Sequence, residues 1–411
     1  MRDNAQGVAS GAAQTGEAGG EVIYLSLSAF LASVSFGVES AALPFLAQDL
    51  GAGSAGVGAL GAIGSVTYSA VLFVLLMYFG GIWERHCPRR MSMTAQWCLC
   101  AGSVLFAAAH SMPALYAIAT AKGVAAACFW PPLMAWFSAG REGADLNRRL
   151  SYFNLSWCSG LIVGPAVGGE LYEIWQELPF AVASLCQAAG ACALWRSRPP
   201  TASPPSEPSK PETLPAEDIP QWKRVAFRRV ALVSHFTGYV VMGLARYQFP
   251  VLARSLSIGP GIFGWALMML SLSMTFMFWM LGRSHRWHFR HGLLLLAQVG
   301  MACAMFAAAV ARSAAMLGFI TTLCGLCVGI TYTSNLFYGA SGDPRRGRRM
   351  AIHEFLIGLG FGVGGQCGGL INSRWGLRSA YPICAWLIML GAAAQIFILR
   401  MERERQRSST V

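Results

Sequence analysis

The sequence has few charged residues, and acids are especially scarce. Only 12% of its 411 residues are charged, and 31 Lys and Arg residues stand against 19 Asp and Glu residues. Soluble globular proteins carry roughly 25% charged residues, so this chain does not have a soluble composition. It also lacks a Gly-Lys-Ser/Thr phosphate-binding loop, a metalloprotease His pair and a convincing nucleophile elbow. We therefore expect no ATP-driven or hydrolytic chemistry, no enzyme activity and no cofactor.

Long apolar segments are present instead, since 55% of the residues are hydrophobic. A helix of about 20 apolar residues crosses the hydrocarbon core of a bilayer. Twelve segments of about that length predict an all-α membrane protein with twelve transmembrane helices. The predicted spans are 22–45, 56–79, 93–110, 114–138, 151–173, 178–196, 228–252, 260–281, 291–311, 314–338, 351–372 and 379–399.

The polar segments divide this series in two. Residues 1–20 are rich in Gly and Ala and lack the basic start and apolar core of a cleaved signal, so they predict a disordered tail. Residues 197–225 are Pro-rich and polar, as in an extended linker. The linker separates a six-helix N-terminal half, 21–196, from a six-helix C-terminal half, 226–400, and residues 401–411 form a second tail.

Basic residues give the orientation, because cytoplasmic loops carry the Lys and Arg excess. Of the 31 basic residues, 25 lie in the two tails, the linker and the other loops that twelve spans place on one side. Four lie on the opposite side, and Lys122 and Arg246 lie within spans. This predicts cytoplasmic termini in a plasma membrane of the bacterial inner-membrane type. Because the charges are scattered over short loops, nucleic-acid binding is not favoured.

A glycine ladder occurs twice, as "GLIVGPAVGG" and, 200 residues later, as "GFGVGGQCGG". A second match, between "PFLAQDLGAGSAGVG" and "PVLARSLSIGPGIFG", has an offset of 206. These matches indicate that the two halves are copies, and parallel repeats of this kind build transporters with a site between the halves. The ladder residues are Gly160, Gly164, Pro165, Gly168 and Gly169, and in the second copy Gly360, Gly364, Gly368 and Gly369.

The first ladder resembles the antiporter motif of the major facilitator superfamily at every defined position. The loop "GGIWERHCPRR" resembles the loop signature of the same superfamily at Gly80, Glu84, Arg85, Arg89 and Arg90. It departs from that signature in having Glu84 for the usual Asp and Cys87-Pro88 where Gly is expected. The resemblance implies two six-helix halves that rock around a central cavity lined by helices 1, 4, 7 and 10.

Both motifs also have a purely structural interpretation. Small residues every four positions allow close helix packing in lipid, and basic loops determine topology. The functional interpretation adds that helices 5 and 11 pack where the halves meet. It also adds that Glu84 faces the positive N-terminus of helix 11 as an inner latch.

Ionisable residues inside predicted spans are informative, because each costs on the order of 3 kcal/mol and needs a partner, water or a function. Glu39, Lys122 and Arg246 lie at a similar depth, roughly 9 to 12 Å below the outer surface. The resemblance places all three on the cavity wall. We expect Glu39 to contact one of the two cations when no substrate is bound.

Other polar and aromatic residues are weaker candidates for the substrate and proton pathway. They are Trp130, Asn154, Tyr332, Asn335, His353 and Glu354. Trp130 could equally be an aromatic residue at a helix kink, and Tyr332 and Asn335 could be helix-packing groups. His285, His288 and His291 have helical spacing, but Arg residues between them disfavour a metal, so we predict none.

The sequence as a whole predicts proton-coupled export of a small, anionic or amphipathic compound by a monomeric transporter. Its expected partners are the substrate, protons and membrane lipid. Uptake by symport is the first alternative, and only the antiporter-type motif separates the two. The second alternative is a transporter-like membrane sensor without flux.

Overall fold

The computed structural model describes the backbone of residues 3–78, 87–138, 143–197, 219–284, 286–340 and 346–409. It describes side chains for residues 21–76, 78, 87–138, 148–197, 219–284, 286–339 and 352–408. Within these ranges the chain forms twelve long helices. They are α1 (Asp3–Asp49), α2 (Ser54–Tyr78), α3 (Pro88–Ala107), α4 (Met112–Ser138), α5 (Gly143–Ile174), α6 (Leu178–Arg196), α7 (Gln221–Tyr247), α8 (Pro260–Gly282), α9 (His291–Ala309), α10 (Ala314–Ala340), α11 (Arg346–Trp375) and α12 (Ala380–Ser409).

Composition suits these helices to a membrane. Over the described residues, nine helices are long and apolar enough to cross a bilayer, and α3, α5 and α7 fall outside that group. Large apolar side chains also cover much of the outer surface; Trp386 and Phe397 on α12, for example, are 65% and 66% exposed. Such a surface is stable in lipid and unfavourable in water, which indicates an integral membrane protein.

The helix ends differ from the predicted spans most clearly in α1, α5, α7 and α12. α5 begins eight residues earlier than predicted, and α7 begins at Gln221, inside the predicted linker. α1 includes residues 3–20 and α12 includes residues 401–409, both predicted as tails. Hydropathy marks only the apolar part of a helix, whereas Ala, Glu and Arg favour helix outside the bilayer as well. The predicted span 228–252 is interrupted at Gln248, because Pro250 has no N–H to bond to the Arg246 carbonyl. A short helix, Phe249–Ser255, follows the interruption. Residues 198–218 of the predicted linker lie outside the described part of the chain.

Most helix packing occurs within α1–α6 and within α7–α12, which we call the first group and the second group. The two groups meet chiefly along two helix pairs, α2 with α11 and α5 with α8. We call these two contacts the seam. The seam is the part of the fold where side chains from the two groups can form a shared site.

Candidate functional site

Glu39 and Lys122 form a buried ion pair between α1 and α4. Lys122 Nζ lies 2.6 Å from Glu39 Oε1, and the two residues are 5% and 6% exposed. Lys122 also donates to the hydroxyl of Ser103 at 2.7 Å and to the carbonyl of Leu99 at 3.2 Å. Ser103 in turn donates to Glu39 Oε1 at 2.6 Å. The expected contact between Glu39 and a cation is therefore present, and Lys122 is the partner.

This ion pair does not lie at the seam. The groups that complete it, Leu99 and Ser103, both belong to α3, and the Lys122 ammonium lies 5.3 Å from the ring centre of Phe106 on the same helix. α3 packs chiefly against α4 and α6 of its own group. The expectation that Glu39, Lys122 and Arg246 share one wall is wrong, because the first two side chains point into the first group.

Arg246 lies apart from that pair, in the last turn of α7. Its guanidinium carbon is 5.4 Å from the ring centre of Phe361 on α11. It lines a narrow cavity together with six residues of α5, α7 and α8: Pro165, Met242, Ala245, Leu267, Leu270 and Ser271. No ion pair or hydrogen bond joins the Arg246 side chain to any described residue. Arg246 is thus a cation without an anionic partner in the described part of the chain, and its cavity has walls from both groups.

A second set of polar side chains lies where α2, α7, α10 and α11 meet, and we call it the central polar cluster: Tyr68, His235, Tyr332, Asn335, His353 and Glu354. The Tyr68 hydroxyl donates to Glu354 Oε2 at 3.1 Å. Asn335 Nδ2 is 2.8 Å from His353 Nδ1. The rings of His353 and His235 are stacked with centres 4.4 Å apart, and the Tyr332 ring is 4.9 Å from that of His353.

The charges of this cluster are incompletely balanced. Glu354 accepts a hydrogen bond from Tyr68 across the seam but has no Lys or Arg partner among the described residues. His235 is fully buried, and neither of its ring nitrogens bonds to a described side chain. The two stacked imidazoles are too close for both to be charged without strong repulsion. Among the described residues, no Lys or Arg side chain therefore offsets the negative charge that Glu354 carries after it loses a proton.

Four of the sequence-predicted residues meet in this cluster, namely Tyr332, Asn335, His353 and Glu354. Sequence reasoning missed Tyr68, His235 and, in the ion pair, Ser103. His235 falls inside a predicted span and could have been found by the criterion that identified Glu39. Tyr68 and Ser103 carry no such signal, because Tyr and Ser are common in membrane helices.

Trp130 and Asn154 lie outside the cluster. The Trp130 ring packs among Phe36, Phe129 and Phe153 within the first group. Asn154 accepts a hydrogen bond from Trp157 on the same helix at 3.1 Å. Trp157 approaches Tyr332 with ring centres 6.4 Å apart, so Asn154 is linked to the cluster only through that ring.

Each glycine ladder packs mainly within its own group. A Cβ atom on Gly160, Gly164 or Gly168 would lie 2.3 to 2.6 Å from backbone oxygens of α1. In the second copy, Gly360 and Gly364 approach α7 in the same way, and Gly368 approaches the Leu244 side chain. Most ladder residues therefore hold α5 on α1 and α11 on α7.

Only part of each ladder reaches the seam. Gly169 lies against the Pro260 carbonyl at the start of α8, and Gly369 lies against the Ser54 carbonyl at the start of α2. The Pro165 carbonyl abuts Gly264 of α8. The prediction that helices 5 and 11 pack where the two groups meet is confirmed, because α5 contacts α8 and α11 contacts α2; these ladder positions are part of that contact.

At the seam end opposite the chain termini, polar contacts join the two groups. We call them the polar clasp: Asp49, Tyr172 and Glu173 from the first group, and Arg254 and Gly261 from the second. Asp49 pairs with Arg254 and accepts from the Tyr172 hydroxyl at 2.6 Å. Glu173 Oε1 accepts from the Gly261 N–H at 2.8 Å, in the first turn of α8. A carboxylate there interacts favourably with the positive helix end.

The remaining predicted residues lie outside the site or outside the described part of the chain. Gly80, Glu84 and Arg85 of the loop motif, and His285, lie outside the described residues. Arg89 donates to the Trp195 carbonyl, and Arg90 is exposed. His288 stacks on Phe337 with ring centres 3.9 Å apart, and His291 begins α9. Among the described residues, no three His, Cys, Asp or Glu side chains form a metal-binding group.

Comparisons with known proteins agree with this architecture. The family model described as Major Facilitator Superfamily matches residues 25–342. A search of curated protein sequences finds no match. The structure of a bacterial homologue of the human lysosomal transporter Spinster, in its inward-facing and unoccupied conformation, is 14% identical, with a TM-score of 0.73 over 93% of this chain and 97% of that one.

Two further solved transporters are similar. The nucleoside transporter NupG is 12% identical, with a TM-score of 0.68 over 92% of this chain and 98% of that one. The POT family transporter PepTSo is 10% identical, with a TM-score of 0.73 over 93% of this chain and 98% of that one. At these identities the likeness shows a common fold.

Proposed function

The chain belongs to the major facilitator superfamily, and we propose that it is a proton-coupled exporter that works by alternating access. Membership and fold make it a non-enzymatic membrane transporter. In the proposed arrangement twelve helices cross the membrane as two six-helix halves, the first and second groups. The termini are cytoplasmic, the membrane is a plasma membrane, and the functional unit is one chain.

The hydrogen bond between Tyr68 and Glu354 is the observation that carries proton coupling. It joins α2 to α11 across the seam, so it depends on the relative position of the two groups. A carboxylate covered by protein without a cation is costly, and protonation removes that cost. A conformation that covers Glu354 therefore favours its protonated form, and one that exposes Glu354 to water allows the proton to leave.

This assignment moves the proton carrier from Glu39 to Glu354. Glu39 has a cation, a hydroxyl donor and a position inside the first group, so its surroundings need not change when the groups move. The direction of transport rests on the antiporter-type motif on α5, which favours export. Uptake by symport uses the same cluster and remains the first alternative, and a sensor without flux remains the second.

Flux into liposomes tests the proposal. Purified protein is reconstituted with the membrane potential clamped at zero, and uptake is followed for three probes: naphthalene sulfonate, naphthalene sulfonamide and naphthylmethylammonium. With one proton per substrate, a gradient of about one pH unit supports about tenfold accumulation of a transported probe. Glu354→Gln should abolish this accumulation but retain exchange of labelled for unlabelled probe, which needs no net proton movement.

Glu404→Gln is the matched control, since Glu404 is an exposed carboxylate on the last turns of α12. It should accumulate the probe as the unsubstituted protein does. Gradient-driven accumulation by Glu354→Gln would refute the assignment of the proton carrier. Flux of the unsubstituted protein that ignores the gradient would refute proton coupling altogether.

A further inference from the structure

Lys122 is a buried cation and Arg246 a half-buried one, and their surroundings differ. The three hydrogens of the Lys122 ammonium have three partners: Glu39, Ser103 and Leu99. Arg246 has five N–H donors and no hydrogen bond to a described residue. Its guanidinium carbon lies over the face of the Phe361 ring, 5.4 Å from the ring centre. The charge of Lys122 is therefore neutralised by an ion pair, whereas Arg246 has no anionic partner among the described residues.

A cation without an anionic partner inside a membrane helix is energetically unfavourable, and such residues usually mark a substrate or ion pathway. The position of Arg246 in the last turn of α7 partly explains why the fold tolerates its charge, because the C-terminal end of a helix attracts positive charge. That interaction uses no N–H donor of the guanidinium. The donors remain available to a ligand with acceptor oxygens, since the side chain is partly accessible from the adjoining cavity.

The remaining walls of the cavity indicate what such a ligand contains besides its charge. Met242, Ala245, Leu267, Leu270 and Pro165 are apolar, and Ser271 adds one hydroxyl group. In this conformation the cavity admits little more than one water molecule, at about 10 Å³, so these side chains would surround a compact hydrocarbon group only once the two groups move apart. Because Pro165 belongs to the first group and Leu267 to the second, a bound molecule would touch both sides of the seam.

We propose that Arg246 is the anion-binding residue of the transport site and that the substrate is an amphipathic organic anion. A carboxylate or sulfonate group receives the guanidinium donors, and a compact apolar group lies among the five apolar side chains. The planar fork of Arg suits two oxygens of one such group. The inference rests on the proposed transport function and specifies its substrate class.

Binding to purified protein in detergent tests the inference without any flux or proton gradient. Naphthalene sulfonate and neutral naphthalene sulfonamide present the same ring with and without the charge. The unsubstituted protein should bind the sulfonate about 10- to 100-fold more tightly, the range expected for hydrogen bonds to a charged group. Arg246→Gln should lose that preference and bind both probes equally, and Arg246→Lys should retain part of it.

Arg312→Gln is the matched control, because Arg312 is an exposed arginine between α9 and α10. It removes the same charge and should leave the preference for the sulfonate intact. Equal binding of the two probes by the unsubstituted protein would overturn the inference, as would a preference that survives in Arg246→Gln or is lost equally in Arg312→Gln.

The outcome is distinguishable from a failure of the proposed function. Anion preference without gradient-driven flux would leave Arg246 as the anion site and refute proton coupling. Gradient-driven transport with an unchanged anion preference in Arg246→Gln would support proton coupling and refute Arg246 as the anion site. A protein that binds neither naphthalene sulfonate nor naphthalene carboxylate would also overturn the anion assignment.

Discussion

The buried pair of Glu39 and Lys122 should stabilise the first group and take no part in coupling. Removing one partner of such a pair leaves the other charge buried and uncompensated, at a cost of about 3 to 5 kcal/mol. Glu39→Gln leaves the Lys122 ammonium with neutral acceptors only, and Lys122→Gln leaves the Glu39 carboxylate with neutral donors only. Each single substitution should therefore lower the stability of the folded protein strongly.

The double variant, Glu39→Gln with Lys122→Gln, restores charge balance. Two neutral amides still satisfy part of the hydrogen bonding, so its loss should be smaller than that of either single variant. The coupling between the two sites, taken from the double-mutant cycle, should reach about 3 kcal/mol or more. Equilibrium unfolding in mixed detergent micelles, followed by tryptophan fluorescence, measures the four free energies of unfolding.

Flux of the same double variant decides its functional role. Because the pair faces α3, gradient-driven accumulation should persist once the protein folds. Additive losses in the cycle would show that the two side chains do not interact. A stable double variant without gradient dependence would return the proton pathway to Glu39 and refute the argument from position.

Two further predictions concern helix packing and the polar clasp, whose end of the seam faces outward in the proposed topology. Gly164→Ala places a Cβ atom 2.6 Å from the Val34 carbonyl oxygen and should lower stability by about 1 to 3 kcal/mol. Gly318→Ala is its control, because a Cβ atom there meets no atom within 4 Å and should lower stability by nothing. Thermal unfolding compares the two variants. Glu173→Gln weakens the contact with the α8 N-terminus by about 1 kcal/mol, so thiol labelling from the outside at Ser271→Cys, in a background without reactive cysteines, should rise severalfold. Glu177→Gln, which removes the charge of the residue that precedes α6, is its control, and equal labelling of the two variants would show that the Glu173 contact does not hold the seam closed.

The sequence was sufficient for the series of helices and for the existence of two related ladders. It did not reveal which neighbour each ladder contacts, because a stripe of small residues permits close approach without specifying a partner. The partner is itself encoded: Gly37 on α1 approaches Gly164, and Gly243 on α7 approaches Gly364. Gly37 and Gly243 are 206 residues apart, the offset of the second sequence match.

The site was only partly predictable for a related reason. Hydropathy and depth identify an ionisable residue in a membrane helix but not the direction of its side chain around the helix axis. Glu39, Lys122 and Arg246 therefore looked equivalent, although Ser103 and Leu99 of α3 hold the first two away from the seam. The contact of Glu354 with Tyr68 depends on the packing of α11 against α2. Small residues permit that packing, since Gly358, Gly362 and Gly365 of α11 lie against Ser65, Ala62 and Gly58 of α2, but such a stripe does not specify its partner.

Arg246 and Glu354, which have no oppositely charged partner among the described residues, are separated along the seam. This separation constrains how they act together. Arg246 faces Phe361, which is seven residues beyond Glu354 on α11, or roughly 10 Å at the helical rise. Under the proposed function, an anionic group held by the guanidinium does not bond to the Glu354 carboxyl group, and substrate and proton do not exchange by direct displacement at one point. Coupling would then pass through the position of α11 relative to α2, α5 and α8, which would determine both the cover over Glu354 and the width of the Arg246 cavity.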